Sequence, residues 1–244
     1  MLHFLEKKEL PEEEECEFDH GDVDNSTGRV FVTHTSTGTV KIFDGKEGEW
    51  TGSIPNCAGG SGVVFDPNTK IVFAASRAEG HILAINPVSL GILNKFGTGK
   101  KPNGLAVDGK RGILMTADVG DNIARFHNQK TGEIVATVKL SGRPRWCTYR
   151  KESDEYVINI MDPPGVEFIA GKGFTRTRFF DVDQKGPHGL VIERNTAYVA
   201  CDDATMVTID LDSAKLVSRV KLAGSPDVLW YNRKQNLDYR SLNY

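Results

Sequence analysis

Pro102-Asn-Gly-Leu-Ala-Val-Asp108 decides the fold, because the chain repeats it. Gly60-Ser-Gly-Val-Val-Phe-Asp66 and Pro187-His-Gly-Leu-Val-Ile-Glu193 share its pattern of a small or polar residue, a glycine, an apolar triplet and an acid. Asp19-His-Gly-Asp-Val-Asp24, Arg145-Trp-Cys-Thr-Tyr-Arg150 and Asp227-Val-Leu-Trp-Tyr-Asn232 are degenerate copies. Marking each copy by its first polar residue gives Asp19, Ser61, Asn103, Arg145, His188 and Asp227, spaced by 42, 42, 42, 43 and 39 residues. A period of about 40–45 residues is the length of one four-stranded propeller blade.

Each period carries three further strand signals. A short apolar run follows the first turn, as in Arg29-Val-Phe-Val-Thr-His34, Ile71-Val-Phe-Ala-Ala-Ser76 and Thr196-Ala-Tyr-Val-Ala-Cys201, rich in β-branched and aromatic residues. The third strand alternates, as in Thr39-Val-Lys-Ile-Phe-Asp44 and Asn122-Ile-Ala-Arg-Phe-His127. The fourth interleaves charge with apolar residues, as an exposed edge requires, in Glu133-Ile-Val-Ala-Thr-Val-Lys-Leu140 and Lys215-Leu-Val-Ser-Arg-Val-Lys-Leu222. The expectation is an all-β chain, one β-propeller domain over residues 1–244, with six blades. Five are complete. The sixth is composite: Phe4-Leu-Glu-Lys-Lys-Glu-Leu10 resembles an outer strand with no blade of its own, and residues 225–244 hold an inner strand, a second strand near Leu237–Tyr239 and little more. Pairing the two closes the ring and hides two edges. A seven-bladed parent is the alternative if the chain is a truncated form.

Composition excludes several classes. A formal charge of −3 and a pI near 6.1 give no general attraction to nucleic acid or to an anionic membrane. No run of about eighteen apolar residues is present to span a bilayer. Met1-Leu-His-Phe-Leu-Glu-Lys-Lys8 lacks the basic start and apolar stretch of a secretory signal, so the expected compartment is cytoplasmic, or an exported one if the terminus is already processed. Four cysteines (Cys16, Cys57, Cys147, Cys201) without a CxxC pair read as reduced structural thiols, with Cys57 the one to test for reactivity. Arg143-Pro-Arg145 and the basic run Lys172–Arg178 read as solvated surface. Phosphate-cradling, GxSxG and GxGxxG motifs are missing.

Pro102-Asn-Gly-Leu-Ala-Val-Asp108, the apolar strand after it, and Ala117-Asp-Val-Gly-Asp-Asn122 together resemble the YVTN-type repeat of YncE-like propellers, over nearly the whole chain. The layout is similar, more distantly, to NHL and SMP-30/gluconolactonase-like propellers. The resemblance implies a propeller whose relatives include binding proteins and metal-dependent hydrolases; it specifies the blade better than the activity.

In a propeller the inner-strand starts and the loops after the second strands reach one face. The markers therefore converge at the channel mouth, with His34, Arg77, Glu79, Asp118, Asp121, Asp162, Asp202 and Asp203 in an outer tier. Asp19, His20, Asn103, Arg145, His188 and Asp227 are the candidate ligand-binding residues, and His188, titratable and at the mouth, is the candidate acid–base group. Asn103 equally suits a turn-setting role, and His188 equally suits a packed, hydrogen-bonded one. The resemblance to the SMP-30-like enzymes implies a divalent site. Asn103 matches one of their ligand positions, and His188 stands where an aspartate is expected. Their glutamate is missing, and Asp19 or His20 would have to substitute for it. Asp19, Asn103, His188 and Asp227 would then hold Ca2+ or Mg2+ in an oxygen-rich shell. Arg145 opposes a cation there and favours an anion.

Three functions follow. One is a propeller binding a small polar or anionic ligand, or a protein partner, at the channel mouth. The second is a metal-dependent, lactonase-like hydrolase. The third is a protein-interaction scaffold.

Overall fold

The computed structural model describes residues 17–232 and, as backbone, the strand 237–242. Its strands fall into the expected blades. Blade 1 holds β1 (Phe18–Asp24), β2 (Arg29–His34), β3 (Thr39–Asp44) and β4 (Glu49–Ile54). Blade 2 holds β5 (Gly60–Asp66), β6 (Ile71–Ser76), β7 (His81–Asn86) and β8 (Gly91–Gly97). Blade 3 holds β9 (Pro102–Asp108), β10 (Ile113–Asp118), β11 (Ile123–Asn128) and β12 (Ile134–Lys139). Blade 4 holds β13 (Pro144–Arg150), β14 (Glu155–Ile160), β15 (Gly165–Ala170) and β16 (Arg176–Asp181). Blade 5 holds β17 (Pro187–Glu193), β18 (Thr196–Cys201), β19 (Thr205–Asp210) and β20 (Lys215–Lys221). Each is a four-stranded antiparallel meander, and β21 (Pro226–Asn232) pairs with β22 (Leu237–Leu242) as the described part of a sixth. The closing strand expected at Phe4–Leu10 lies outside the described residues, as does Cys16. No described helix is long and apolar enough to cross a membrane.

The acid that ends each repeat has a local cause. Asp66 Oδ1 accepts the Asn68 N–H (2.9 Å), Asp24 Oδ1 the Ser26 N–H (2.9 Å) and Asp108 Oδ1 the Lys110 N–H (3.2 Å), folding the turn into the second strand. Asp44, Asn86, Asn128 and Asp210 do the same after the third strands. The core lies between blades: Phe31, Val40 and Ile42 of blade 1 pack with Val63, Phe65 and Val72 of blade 2, and Val157, Val166 and Phe168 of blade 4 with Leu190, Ala197 and Val199 of blade 5. Blades 2, 3 and 4 thus bury both faces against their neighbours.

The first strand of every blade is bulged at the marker. Phe18 pairs with His34 and Gly21 with Val32, leaving Asp19 and His20 opposite one residue. The same one-residue excess falls at Ser61-Gly62, Asn103, Arg145-Trp146, His188-Gly189 and Asp227-Val228. A bulge breaks the alternation that would send these side chains between blades and re-aims them. Glycine follows the marker in blades 2, 3 and 5 because the next blade leaves no room. A Cβ on Gly104 would meet the Arg145 carbonyl at 2.7 Å, and one on Gly189 the Asp227 carbonyl at 2.9 Å.

Candidate functional site at the channel mouth

Five of the six bulges bring the predicted residues to one place, and two from the outer tier join them. Arg77, from the loop after β6, donates through Nη2 to Asp19 Oδ2 (2.9 Å) and to Asn103 Oδ1, tying three blades together. Asp19 also contacts His20 Nδ1. Across the mouth, His188 stands between two carboxylates, Nδ1 on Asp202 Oδ1 (2.9 Å) and Nε2 on Asp227 Oδ1 (2.7 Å). An imidazole so placed is positioned to pass a proton from one carboxylate to the other. Burial pushes the Asp19 carboxyl up, but the bond and charge of His20 and the charge of Arg77 outweigh it and hold the group below the ordinary range. Asp227 is held low against burial in the same way, by His188 first, then His20 and Arg145.

Arg145 is the exception among these charges. Its Nη1 lies 3.3 Å from His188 Nε2, Nη2 lies 3.5 Å from the Met161 sulfur, and it approaches a carboxylate only at 3.9 Å, Asp202 Oδ2. Burial, then Arg143, pull its pKa down. Among the described residues, the buried Nε atoms of Arg145 and Arg77 have no partner, and neither has His20 Nε2. Two guanidiniums with free donors thus share one mouth.

The mouth has a floor that the repeat pattern did not anticipate. Blades 1 and 4 carry His20 and Trp146 where blades 2, 3 and 5 carry the glycine after the marker. The two rings stack at 4.0 Å with planes 12° apart. His20, 1% exposed, comes from the blade opposite Trp146, so the pair spans the channel. The signal was present in the sequence as a departure from glycine in three of the repeats, aromatic at His20 and Trp146 and aliphatic at Val228.

Other expected residues lie elsewhere. Asp118 turns to Arg125 and to Thr98 Oγ1 (3.1 Å), and Asp121 to Arg125 as well (2.7 Å). His34 stacks on Phe18 at 4.4 Å. Ser61 donates to the Pro102 carbonyl (2.9 Å), a blade-to-blade link. The Lys172–Arg178 run is not plain solvated surface: Arg178 lies over Phe168 at 4.0 Å and donates to the Leu211 carbonyl (2.8 Å). Arg145 likewise is partly buried in the site. Cys57 is buried, and burial pushes its thiol up to about 12, so it stays protonated and unreactive.

The donor set fits a divalent ion poorly as it stands. Asp19 and Asn103 present oxygens to Arg77, Asp227 to His188, and among the described residues no three His, Cys, Asp or Glu side chains converge as ligands would.

No protein-family model and no curated protein sequence matches the chain. Among solved structures, hydrazine synthase of Kuenenia stuttgartiensis is similar in fold, with a TM-score of 0.63 and 11% identity over 69% of this chain and 50% of that one. This chain therefore spans about half the length of that protein's chain. At 11% identity, and with 1573 solved chains matching, the likeness marks the propeller fold alone.

Proposed function

We propose that the protein is a YVTN/YncE-like propeller that binds a small anionic ligand, of the carboxylate or phosphate kind, at the channel mouth above the His20–Trp146 floor. The observation that carries the reading is Arg145: a partly buried guanidinium whose carboxylate neighbour stands off at 3.9 Å. A bidentate anion would supply the short, charge-assisted bonds it lacks, and the Arg77 guanidinium, with its side chain 34% exposed, adds positive charge at the same mouth. His188, between Asp202 and Asp227, adds a group able to donate to or accept from the ligand.

Thermal melting tests it, since a ligand specific to the folded state raises the midpoint. Phosphate, succinate and citrate are the probes, each against wild type, Arg145→Gln and Arg77→Gln. At least one anion is expected to raise the wild-type midpoint, and Arg145→Gln to lose most of the rise. A midpoint unmoved by all three anions overturns the reading. The same melts with Ca2+, Mg2+, Mn2+ and chelator address the lactonase-like alternative: an ion-dependent rise that His188→Ala abolishes would replace anion binding with a metal site built on Asp19, Asn103, His188 and Asp227.

A further inference from the structure

Beneath the His20–Trp146 stack the channel opens to the opposite face as a second cavity of about 590 Å3, lined by residues of all six inner strands. That volume suits one small molecule. Its walls are mostly apolar, with Val64, Leu105, Val107, Trp146, Val228 and Trp230 among them. The rim acids Asp66 and Asp108 are committed to turns, as above.

One wall position carries an acid where none of its counterparts does. At the position where blades 2, 3 and 5 carry Val64, Ala106 and Val191, blade 1 carries Asp22. Its Oδ1 accepts the N–H of Val23 and its Oδ2 the N–H of Phe65, each at 2.7 Å. Those bonds link blade 1 to blade 2 but leave the negative charge unmatched, since no cationic side chain among the described residues acts on it. Burial pushes this carboxyl up to about 6. Both oxygens accept a neutral backbone N–H, so the two bonds fix the carboxylate in place without neutralising its charge.

We propose that this lower cavity binds a small organic cation, an ammonium group on an apolar or aromatic body, with the ammonium paired to Asp22 and the body against the indoles. A cation offsets the buried charge, and the faces of tryptophan add cation–π attraction. The exposed amines of Lys110 and Lys151 at the outer end work against a long-range pull on cations, so selectivity comes from inside the cavity.

Isothermal titration of the full chain at about pH 7.5 tests this with three ammonium probes: 2-phenylethylammonium, tryptammonium and cyclohexylammonium. Neutral 2-phenylethanol and anionic 3-phenylpropanoate serve as shape-matched comparators. At least one ammonium is expected to bind, with the comparators about tenfold weaker or worse. Asp22→Asn should erase that preference and leave the fold intact. Should Asp22→Asn not fold, Val64→Phe fills the cavity from another wall and should weaken ammonium binding to a similar degree. Failure of all three ammonium probes to bind, equal binding by Asp22→Asn, or tightest binding by 3-phenylpropanoate overturns the proposal.

Discussion

At Arg145, stability and binding pull in opposite directions. A partly buried guanidinium without a close carboxylate costs folding free energy that only a ligand restores. Arg145→Met, similar in length and without charge, is expected to raise the midpoint of the ligand-free protein by a few degrees, about 1 kcal/mol, while abolishing anion-induced stabilisation. Differential scanning calorimetry with and without phosphate checks both halves. Asp22 is the acidic counterpart. Its carboxyl, raised to about 6 from 3.8, is less favourable ionised in the folded state than in the unfolded one. The penalty is full above the folded value and fades as pH falls through 6 towards 3.8, so protonation stabilises the fold over that window. Asp22→Asn removes this dependence. The stability of that variant relative to wild type should fall by ~2 kcal/mol between about pH 7.5 and about pH 4.5, measured by urea unfolding. Asp19 and Asp227 carry the opposite sign, since their pKa values are lowered. The stability they supply persists above 3.8 and is lost only when pH falls through their lower folded values.

Within the blade, the bulged start of the inner strand converts a repeat into a site. It takes the residue before a required glycine out of the interblade packing and sets it at the mouth. Gly104→Ala would drive a methyl against the Arg145 carbonyl and the Cys147 sulfur, at 2.7 and 2.9 Å, and should cost about 2–3 kcal/mol. Gly97→Ala, in a position with nothing within 4 Å, should be close to neutral, and paired melts of the two variants separate close approach from backbone entropy. Strand positions were legible because turn acids and apolar triplets recur at a fixed period; the inner strands at Gly60, Pro102 and Pro187 start where the pattern places them. The second strand of blade 3 begins at Ile113, straight after Gly112, which takes the positive φ of the preceding turn. Bulges themselves were not legible, since an extra residue in pairing leaves no composition of its own. Nor were the partners of the mouth: Arg77 meets Asp19 across 58 residues, and Asp118 is drawn aside by Arg125.

Across the whole molecule, blades hold one another through bulge carbonyls as well as through their apolar faces. Thr33 donates from blade 1 to Ser61 O, Ser61 from blade 2 to Pro102 O (2.9 Å), and Asn159 from blade 4 to His188 O and Gly189 O (2.9 and 3.0 Å). Thr33→Val leaves that buried link unmade and should cost about 1–2 kcal/mol, seen as a lower urea midpoint at unchanged slope. Ring architecture was readable from period alone, whereas the mouth's floor required noticing where glycine is replaced. That floor has an optical consequence. The indole of Trp146 sits between the two ends of the channel, with an imidazole against one face and the lower cavity beside it. Its emission is therefore an internal reporter of both compartments. In a Trp50→Phe, Trp230→Phe background, an anion binding above would alter quenching by His20, and a cation entering below would alter the polarity sensed by the ring. One fluorophore would register each event as a different spectral change.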